Sequence, residues 1–468
     1  MKRKCLVLLA FSFFAFTSLL YSANQNAIVP CRTAAGAVDV AVDTSMAETS
    51  DAPAADGMPP ENKIREIIKT IQQTSGIAFT LLIVLMLILS NIDYHHPRKL
   101  QERRPVSIVI PCYNDADSVA DSIQSVFRAY PKHLIDLIVI NDCSKDDSLR
   151  TIRAMLRKYT FRIVDNAVNK GKARSLNDTI PMAANDLVLC LDSDTLINTP
   201  ALADMIARMD ADSRIGAVSC PYRPRNKGFL PILQAVEYSM LLLTQGAHNI
   251  LSAMALWGGC LMVRKPAFKE VGGFRLDAIT EDVDLAFKMN RKHWRVEQSF
   301  RPVRSLVPQT VKGWIRQKIR WTSGGTQCYY RHIPVWIKNP IQIFFILSYS
   351  LLIASTIPDL FDGIEIVPSF HATWKEDVTL LQNIINVNGA VWRDLFRRLC
   401  SIALCYIPSF IYIVPMIHRK RDVWKFILVI PFSILYFPAY IIVSFFGMAI
   451  GIRSLFKPKA ADTCGWVN

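Results

Sequence analysis

Leu187-Val188-Leu189-Cys190-Leu191-Asp192-Ser193-Asp194 runs five apolar residues straight into a pair of carboxylates. An apolar run of strand length that ends abruptly in charge reads as a buried strand whose carboxyl end reaches the surface. Working outward, the pattern repeats. Val106–Ile110, Ile135–Ile140 and Phe161–Val164 are further β-rich runs, and between them lie helical stretches at Asp117–Tyr130, Asp147–Tyr159 and Lys172–Ala183. In the first of these stretches Val119, Ile123, Val126, Phe127 and Tyr130 recur at helical spacing. Such alternation predicts an α/β domain with a parallel sheet and helices on both faces. Ligands of such sheets gather at the carboxyl ends of the strands.

The residues at those ends share one chemistry. The first strand runs into Pro111-Cys112-Tyr113-Asn114-Asp115, the second into Asn141-Asp142-Cys143-Ser144, and the fourth into Asp192-Ser193-Asp194, while Asn169-Lys170-Gly171-Lys172 opens a helix. An aromatic ring stacks on a base, and a basic turn at a helix N-terminus holds phosphate. Paired carboxylates hold a hard divalent ion. Taken singly, each feature has an ordinary explanation, since Asp-x-Asp is usually a solvated turn and Lys-Gly-Lys a surface one. Placed in this order on consecutive strand ends, they point to a sugar nucleotide diphosphate.

The chain has 468 residues, 51% hydrophobic and 20% charged, with 54 Lys+Arg against 39 Asp+Glu and a formal net charge of +15. That composition excludes a disordered or fibrous protein. The 11 Cys include no CxxC pair, which argues against a disulfide framework or a zinc site. The apolar excess sits in blocks. Cys5–Leu20, behind Lys2-Arg3-Lys4, reads as a signal peptide or a first membrane helix over residues 1–22, followed by an acidic flexible segment to about residue 75. Gly76–Ile92 precedes Arg98, Lys99, Arg103 and Arg104, so the positive-inside rule predicts a cytoplasmic domain over residues 100–335. Pro340–Ile357, Leu399–Ile417 and Phe426–Ile450 follow within 340–452 as transmembrane or interfacial helices, and Pro431 and Pro438 mark the last as a re-entrant or interfacial exception. The expected location is the inner (plasma) membrane, multi-pass. The basic residues cluster at membrane boundaries, where they meet anionic lipid, and no nucleic-acid role is expected.

Past the Asp-x-Asp come Gly258-Gly259-Cys260, Gly272-Gly273-Phe274 and Ile279-Thr280-Glu281-Asp282, then the basic stretch Trp314-Ile315-Arg316-Gln317-Lys318-Ile319-Arg320-Trp321, whose Trp residues suit a membrane interface. The set Asp142, Asp192-x-Asp194, Thr280-Glu281-Asp282 and Gln317-x-x-Arg320-Trp321 resembles the signature of family 2 membrane glycosyltransferases, the group of cellulose, chitin and hyaluronan synthases. Ile279–Asp284, Lys292-His293-Trp294 and Pro308–Gly313 most resemble the poly-β-1,6-N-acetylglucosamine synthases, which build a biofilm exopolysaccharide.

The resemblance implies a GT-A-like nucleotide-sugar-binding α/β domain with a parallel-rich sheet, flanked by transmembrane helices. It also implies a processive, inverting transferase that polymerises a β-linked glycan from a UDP-sugar, with UDP-N-acetylglucosamine favoured. The alternative is a non-processive enzyme adding one sugar to a lipid-linked acceptor. By the same resemblance Asp282 is the general base, with Glu281 beside it. Tyr113 and Asp142 contact the nucleoside, Lys170 and Lys172 lie near it or its phosphates, and Asp192 helps hold the nucleotide. Asp194 binds Mg²⁺ or Mn²⁺. Gln317, Arg320 and Trp321 close over the site, with Arg320 toward the pyrophosphate and Trp321 beneath the acceptor sugar. Arg174 departs from the family pattern and is expected to be exposed. The expected partners are the UDP-sugar donor, the growing glycan, membrane lipid, and accessory export or synthase subunits.

Overall fold

The computed structural model describes residues 98–340 and 431–456, with isolated positions at 81–92 and 342–346. Apart from Leu81 and Ile346, these belong to one compact unit, Leu82–Phe345 with Cys405–Asn468; the second unit is Met1–Leu81 with Ile346–Leu404. The apolar blocks expected at Cys5–Leu20 and Leu399–Ile417, the acidic segment between residues 22 and 62, and most of Gly76–Ile92 and Pro340–Ile357 lie outside the described residues. Among the described residues no helix is long and apolar enough to cross a membrane.

A seven-stranded sheet forms the centre. Its strands are β1 (Val106–Cys112), β2 (Ile135–Asn141), β3 (Arg162–Asp165), β4 (Leu187–Leu191), β5 (Ile215–Ser219), β7 (Cys260–Arg264) and β8 (Arg295–Gln298), and β6 (Tyr222–Pro224) pairs with β9 (Val303–Ser305) in a small second sheet. The spatial order is β3-β2-β1-β4-β7-β5-β8. The first four strands are parallel, as the alternation predicts, with Val106 opposite Ile135 and Ser107 opposite Val188. The sheet as a whole is parallel-rich, as expected, and mixed, because β7 runs antiparallel to both β4 and β5.

The strand sequences explain the double burial. All seven residues of β1 and all five of β4 are buried. Their side chains alternate between two cores, as the pleat requires. Leu187, Leu189 and Leu191 join Ile108 and Ile110 on one face, whereas Val188 and Cys190 join Val109 on the other. The first face is covered by α1 (Val119–Ala129), through Val119, Ile123 and Val126, and by α4 (Thr199–Ala211), through Leu202, Met205 and Ile206. Asn198 caps α4 by accepting the Ala201 N–H at 2.9 Å. The second face is covered by α3 (Lys172–Thr179), α6 (Lys265–Glu270) and α7 (Glu281–Arg291), through Leu176, Phe268, Leu285 and Met289. Between α1 and α3 lies α2 (Ser148–Met155).

Three further helices enclose the carboxyl end of the sheet. They are α5 (Phe229–Ala247), α8 (Val311–Arg331) and α10 (Phe437–Phe456); the short α9 (Ile333–Trp336) follows α8. The stretch from Trp314 to Trp321 is not a bare interfacial segment, as its composition suggests. Trp314 is buried, and its indole N–H donates to the Tyr436 hydroxyl at 2.6 Å. Two glycines one turn apart let α10 approach α8 closely. A Cβ on Gly447 would stand 2.8 Å from the Thr322 Cβ, and one on Gly451 would stand 2.6 Å from the Ser323 carbonyl oxygen.

That contact is testable. Gly451→Leu should force the two helices apart and destabilise the unit by about 1–3 kcal/mol, the usual cost of overpacking. Thermal unfolding of the purified protein should show it as a lowered midpoint. Gly325→Ala, where an added Cβ meets nothing within 4 Å, should leave the midpoint unchanged or slightly raised.

Candidate active site

The carboxyl ends of β1, β2 and β4 meet the start of α7 and the middle of α8. Asp192 follows β4 directly, and its backbone N–H donates to the Gly259 carbonyl at 2.9 Å. One carboxylate oxygen of Asp192 pairs with the Lys172 ammonium at 2.5 Å. Lys172 stands in the first turn of α3 and also reaches Glu281 at 3.9 Å and the Gly258 carbonyl at 3.3 Å. Burial alone would lower the Lys172 pKa, but Asp192, Glu281 and Asp282 outweigh it and hold the group well above its ordinary value.

Glu281 and Asp282 are the first two residues of α7, so Asp282 sits in a first helical turn and not behind a strand. A Cβ on Gly258 would be 2.6 Å from the Asp282 carboxylate, and one on Gly259 would be 2.6 Å from the Tyr222 hydroxyl and 2.8 Å from Asp192. These glycines are where the backbone before β7 makes room for two carboxylates. Burial and the neighbouring Glu281 push the Asp282 carboxyl up to about 6, against the pull of Lys172, its own helix N–H at Val283, and Arg320. Its position suits a proton acceptor working near neutral pH.

Asp194 is likewise raised, to about 7, by burial and then by Asp192. It accepts from the Thr195 hydroxyl at 2.9 Å and the Ser305 hydroxyl at 3.3 Å. Asp115 contributes to the same field; its carboxylate accepts from Ser193, and burial raises its pKa. Among the described residues no group of three or more His, Cys, Asp or Glu forms a metal cage. An all-oxygen set short of a cage fits Mg²⁺ or Mn²⁺, since Mg²⁺ is usually held by one or two carboxylates plus the substrate's phosphates. The mutual repulsion of Asp192, Asp194 and Asp115 is what such an ion would relieve.

Asp142 is completely buried, and its carboxylate accepts the Lys170 and Gly171 backbone N–H groups at 3.0 and 2.8 Å, the Asn166 amide at 2.7 Å and the Ser175 hydroxyl at 2.9 Å. It fastens the loop that delivers Lys172, with Gly171 in the left-handed region at φ 77°. Lys170 turns toward Asp178, 2.8 Å away, while Lys172 faces the carboxylates. Tyr113 is half-buried just past the end of β1, and Arg174 is exposed.

Gln317, Arg320 and Trp321 lie on α8, which is pressed onto the Thr280 segment. A Cβ on Gly324 would strike the Thr280 side chain at 2.5 Å, and Gln327 accepts the Ile279 N–H at 3.1 Å. Arg320 is exposed, and its charge reaches Asp282. The Trp321 ring stands 6.0 Å from that of Tyr238, which makes edge contacts with Trp257 and Tyr222 at 5.6 and 6.2 Å. The buried Gln317 carbonyl oxygen and the Trp257 indole N–H have no hydrogen-bond partner among the described residues. The sequence reading noted Asp115 and Gly258 without giving them a task, and it passed over Gly324 and the Tyr222–Tyr238–Trp257 cluster. The doubled glycines were the available signal: Gly258-Gly259 in the turn before a strand and Gly324-Gly325 inside a helix, where glycine is costly and is kept only for close approach.

Residues 107–272 match the family described as glycosyl transferase family 2. The chain is 31% identical over 261 residues to a poly-β-1,6-N-acetyl-D-glucosamine synthase from Staphylococcus epidermidis, a match that covers 55% of this chain and 63% of that protein. It is also 31% identical over 267 residues to the synthase of the same name from Staphylococcus aureus, covering 54% and 63%. The chain thus spans somewhat under two thirds of the length of these relatives. Among solved structures, a mannosyltransferase from Pyrobaculum calidifontis in complex with GDP-Man and Mn²⁺ superposes with a TM-score of 0.52 at 16% identity, covering 82% of this chain and all of the other. That likeness bears out the GT-A-like α/β fold.

The raised Asp282 pKa has a stability consequence. A carboxyl at 3.8 in the unfolded chain and about 6 in the fold penalises the folded state once ionised. The penalty is complete above about pH 6 and gone below about pH 4. Asp282→Asn should therefore raise the unfolding midpoint at pH 7.5, by an amount on the order of 2 kcal/mol, and have no such effect at pH 4. A midpoint lowered at pH 7.5 would contradict the burial assigned to this carboxylate.

Proposed function

We propose that the protein is a processive, inverting glycosyltransferase that polymerises a β-linked glycan from UDP-N-acetylglucosamine at the cytoplasmic face of the inner membrane. The observation that carries the reading is the convergence of Asp192, Lys172, Glu281 and Asp282 at the carboxyl end of the sheet, with α8 packed onto the Thr280 segment through Gly324. The choice of N-acetylglucosamine rests on the named staphylococcal relatives. Membrane placement is supported by the exposed apolar side chains of α10, where Phe445, Phe446 and Phe456 are 57%, 59% and 80% exposed.

In the proposed reaction Asp282 takes the proton of the acceptor hydroxyl as its oxygen attacks the anomeric carbon. The bond from that carbon to the phosphate oxygen breaks, its electron pair leaves with the diphosphate, and the configuration inverts. Arg320 faces the charge that develops on the leaving group, and Trp321 provides an apolar ring for the acceptor sugar. Tyr113 stacks on the uracil, and Asp142 orders the loop beneath it. Asp194, with Asp192 and Asp115 near it, would hold a Mg²⁺ or Mn²⁺ ion, which would neutralise the diphosphate; the P. calidifontis neighbour carries Mn²⁺ with its sugar nucleotide. Lys172 places its positive charge beside Asp192 and Glu281 and pulls the Asp282 carboxyl toward its ionised form.

Membranes containing the full chain, given UDP-N-acetylglucosamine and Mg²⁺ or Mn²⁺, should release UDP and accumulate a polymer. A single added sugar would instead identify the non-processive enzyme, and no UDP release would end the proposal. Asp282→Asn should cut transfer by roughly 10²–10⁴-fold while leaving UDP binding intact, and Asp194→Ala should abolish the dependence of UDP binding on the divalent ion.

The pH profile supplies an independent check. With Asp282 near 6, kcat/KM should rise with pH up to about 6 and then level. Glu281→Gln removes the charge that raises Asp282, so the acid limb should move to lower pH. A limb that stays in place would reassign the base.

A further inference from the structure

Lys318, one residue past Gln317, is fully buried, and its ammonium lies 4.1 Å from the centre of the Trp321 ring and 5.3 Å from that of Tyr238. The same ammonium pairs with Glu237 of α5 at 2.8 Å. Glu237 in turn accepts the hydroxyl of Tyr436, just ahead of α10, and Tyr436 accepts the Trp314 N–H. Three helical segments therefore converge on one cation, and that cation stands on an aromatic face.

Stability does not require a lysine here. A buried ion pair gives up hydration that its Coulomb attraction barely repays, and well-packed apolar residues in its place are often neutral or stabilising. What an apolar pair would not supply is direction. A desolvated cation over an indole prefers the ring face, and it resists tilting of the ring plane.

We propose that Lys318, held by Glu237 and Tyr436, is a positioning residue that sets the plane of Trp321 and thereby the affinity for the acceptor sugar. This rests on the reading of Trp321 as the acceptor platform. The donor side has its own anchors in Lys172, Asp192 and Asp194, so the influence of Lys318 falls on the acceptor alone.

The test uses the full chain in detergent or nanodiscs with UDP-N-acetylglucosamine as donor and a short N-acetylglucosamine oligosaccharide as acceptor. Lys318→Met should raise the acceptor KM about tenfold or more while the donor KM and kcat stay within about twofold. A kcat loss with unchanged acceptor KM, or an equal change in both KM values, would overturn the proposal. Should Lys318→Met fail to fold because Glu237 is left unpaired, the double variant K318M/E237Q removes both charges and must show the same split. A second readout needs no turnover. The emission of Trp321, isolated by subtracting the spectrum of each protein's W321F counterpart, should shift when Lys318 is replaced, and an unchanged emission would sink the proposal. If the wild-type protein consumes no donor, the function proposed above fails, and the emission measurement alone decides whether Lys318 orients Trp321.

Discussion

Lys172 brings its ammonium 2.5 Å from Asp192 and 3.9 Å from Glu281, with Asp282 within its field and the Gly258 carbonyl at 3.3 Å. These groups come from β4, α7 and the turn before β7, segments that share no local sequence. Without the cation, three carboxylates would be gathered with no opposite charge among them, and burial already raises the pKa of one, Asp282. The rest of the site follows from delivering this one group. Asp142 spends its carboxylate on the Lys170–Gly171 backbone, Gly171 takes the left-handed turn, and α3 begins with Lys172 pointing inward. The sheet behind it, buried on both faces, supplies the rigidity that keeps like charges from relaxing apart.

The second constraint is steric. Gly258 and Gly259 abut Asp282, Asp192 and Tyr222, while Gly324 abuts Thr280. At each of these positions a methyl group would displace a carboxylate, a hydroxyl or a whole helix. Gly447 and Gly451 repeat the device between α10 and α8. The platform helix is thus fitted on one side to the proposed base's own segment and on the other to a helix whose outer face is apolar.

The alternation of strands and helices was legible because burial imposes it residue by residue: Leu187–Leu191 was read with its observed bounds, and β1 ran only two residues further than expected. The antiparallel β7 was not legible. Cys260–Arg264 is as apolar as a parallel strand, and its residues carry no sign of its direction. The tasks of Lys170 and Lys172 separate only in three dimensions, since the two residues flank a glycine whose φ decides which one faces Asp192. The aromatic cluster beside Trp321 escaped notice because Tyr222, Tyr238 and Trp257 are far apart in sequence and each has an ordinary core explanation.

The positions that break the usual rules for buried residues share a direction. Asp282 carries a raised pKa, Asp194 another, Gln317 and Trp257 keep unmated polar atoms, and Lys318 is a fully buried cation. A sequence selected for stability alone would replace most of these with apolar groups. Their costs fall around one volume, bounded by the strand ends below and α8 above, and a diphosphate, a divalent ion and a polar sugar would offset them there. In the scaffold, the Arg208 guanidinium, buried to nearly the same degree as Lys318, is matched by Asp204 at 2.9 Å and Glu297 at 3.0 Å. That contrast between a satisfied buried cation in the scaffold and strained carboxylates at the strand ends separates the part of the molecule that folds from the part that is kept ready for a ligand.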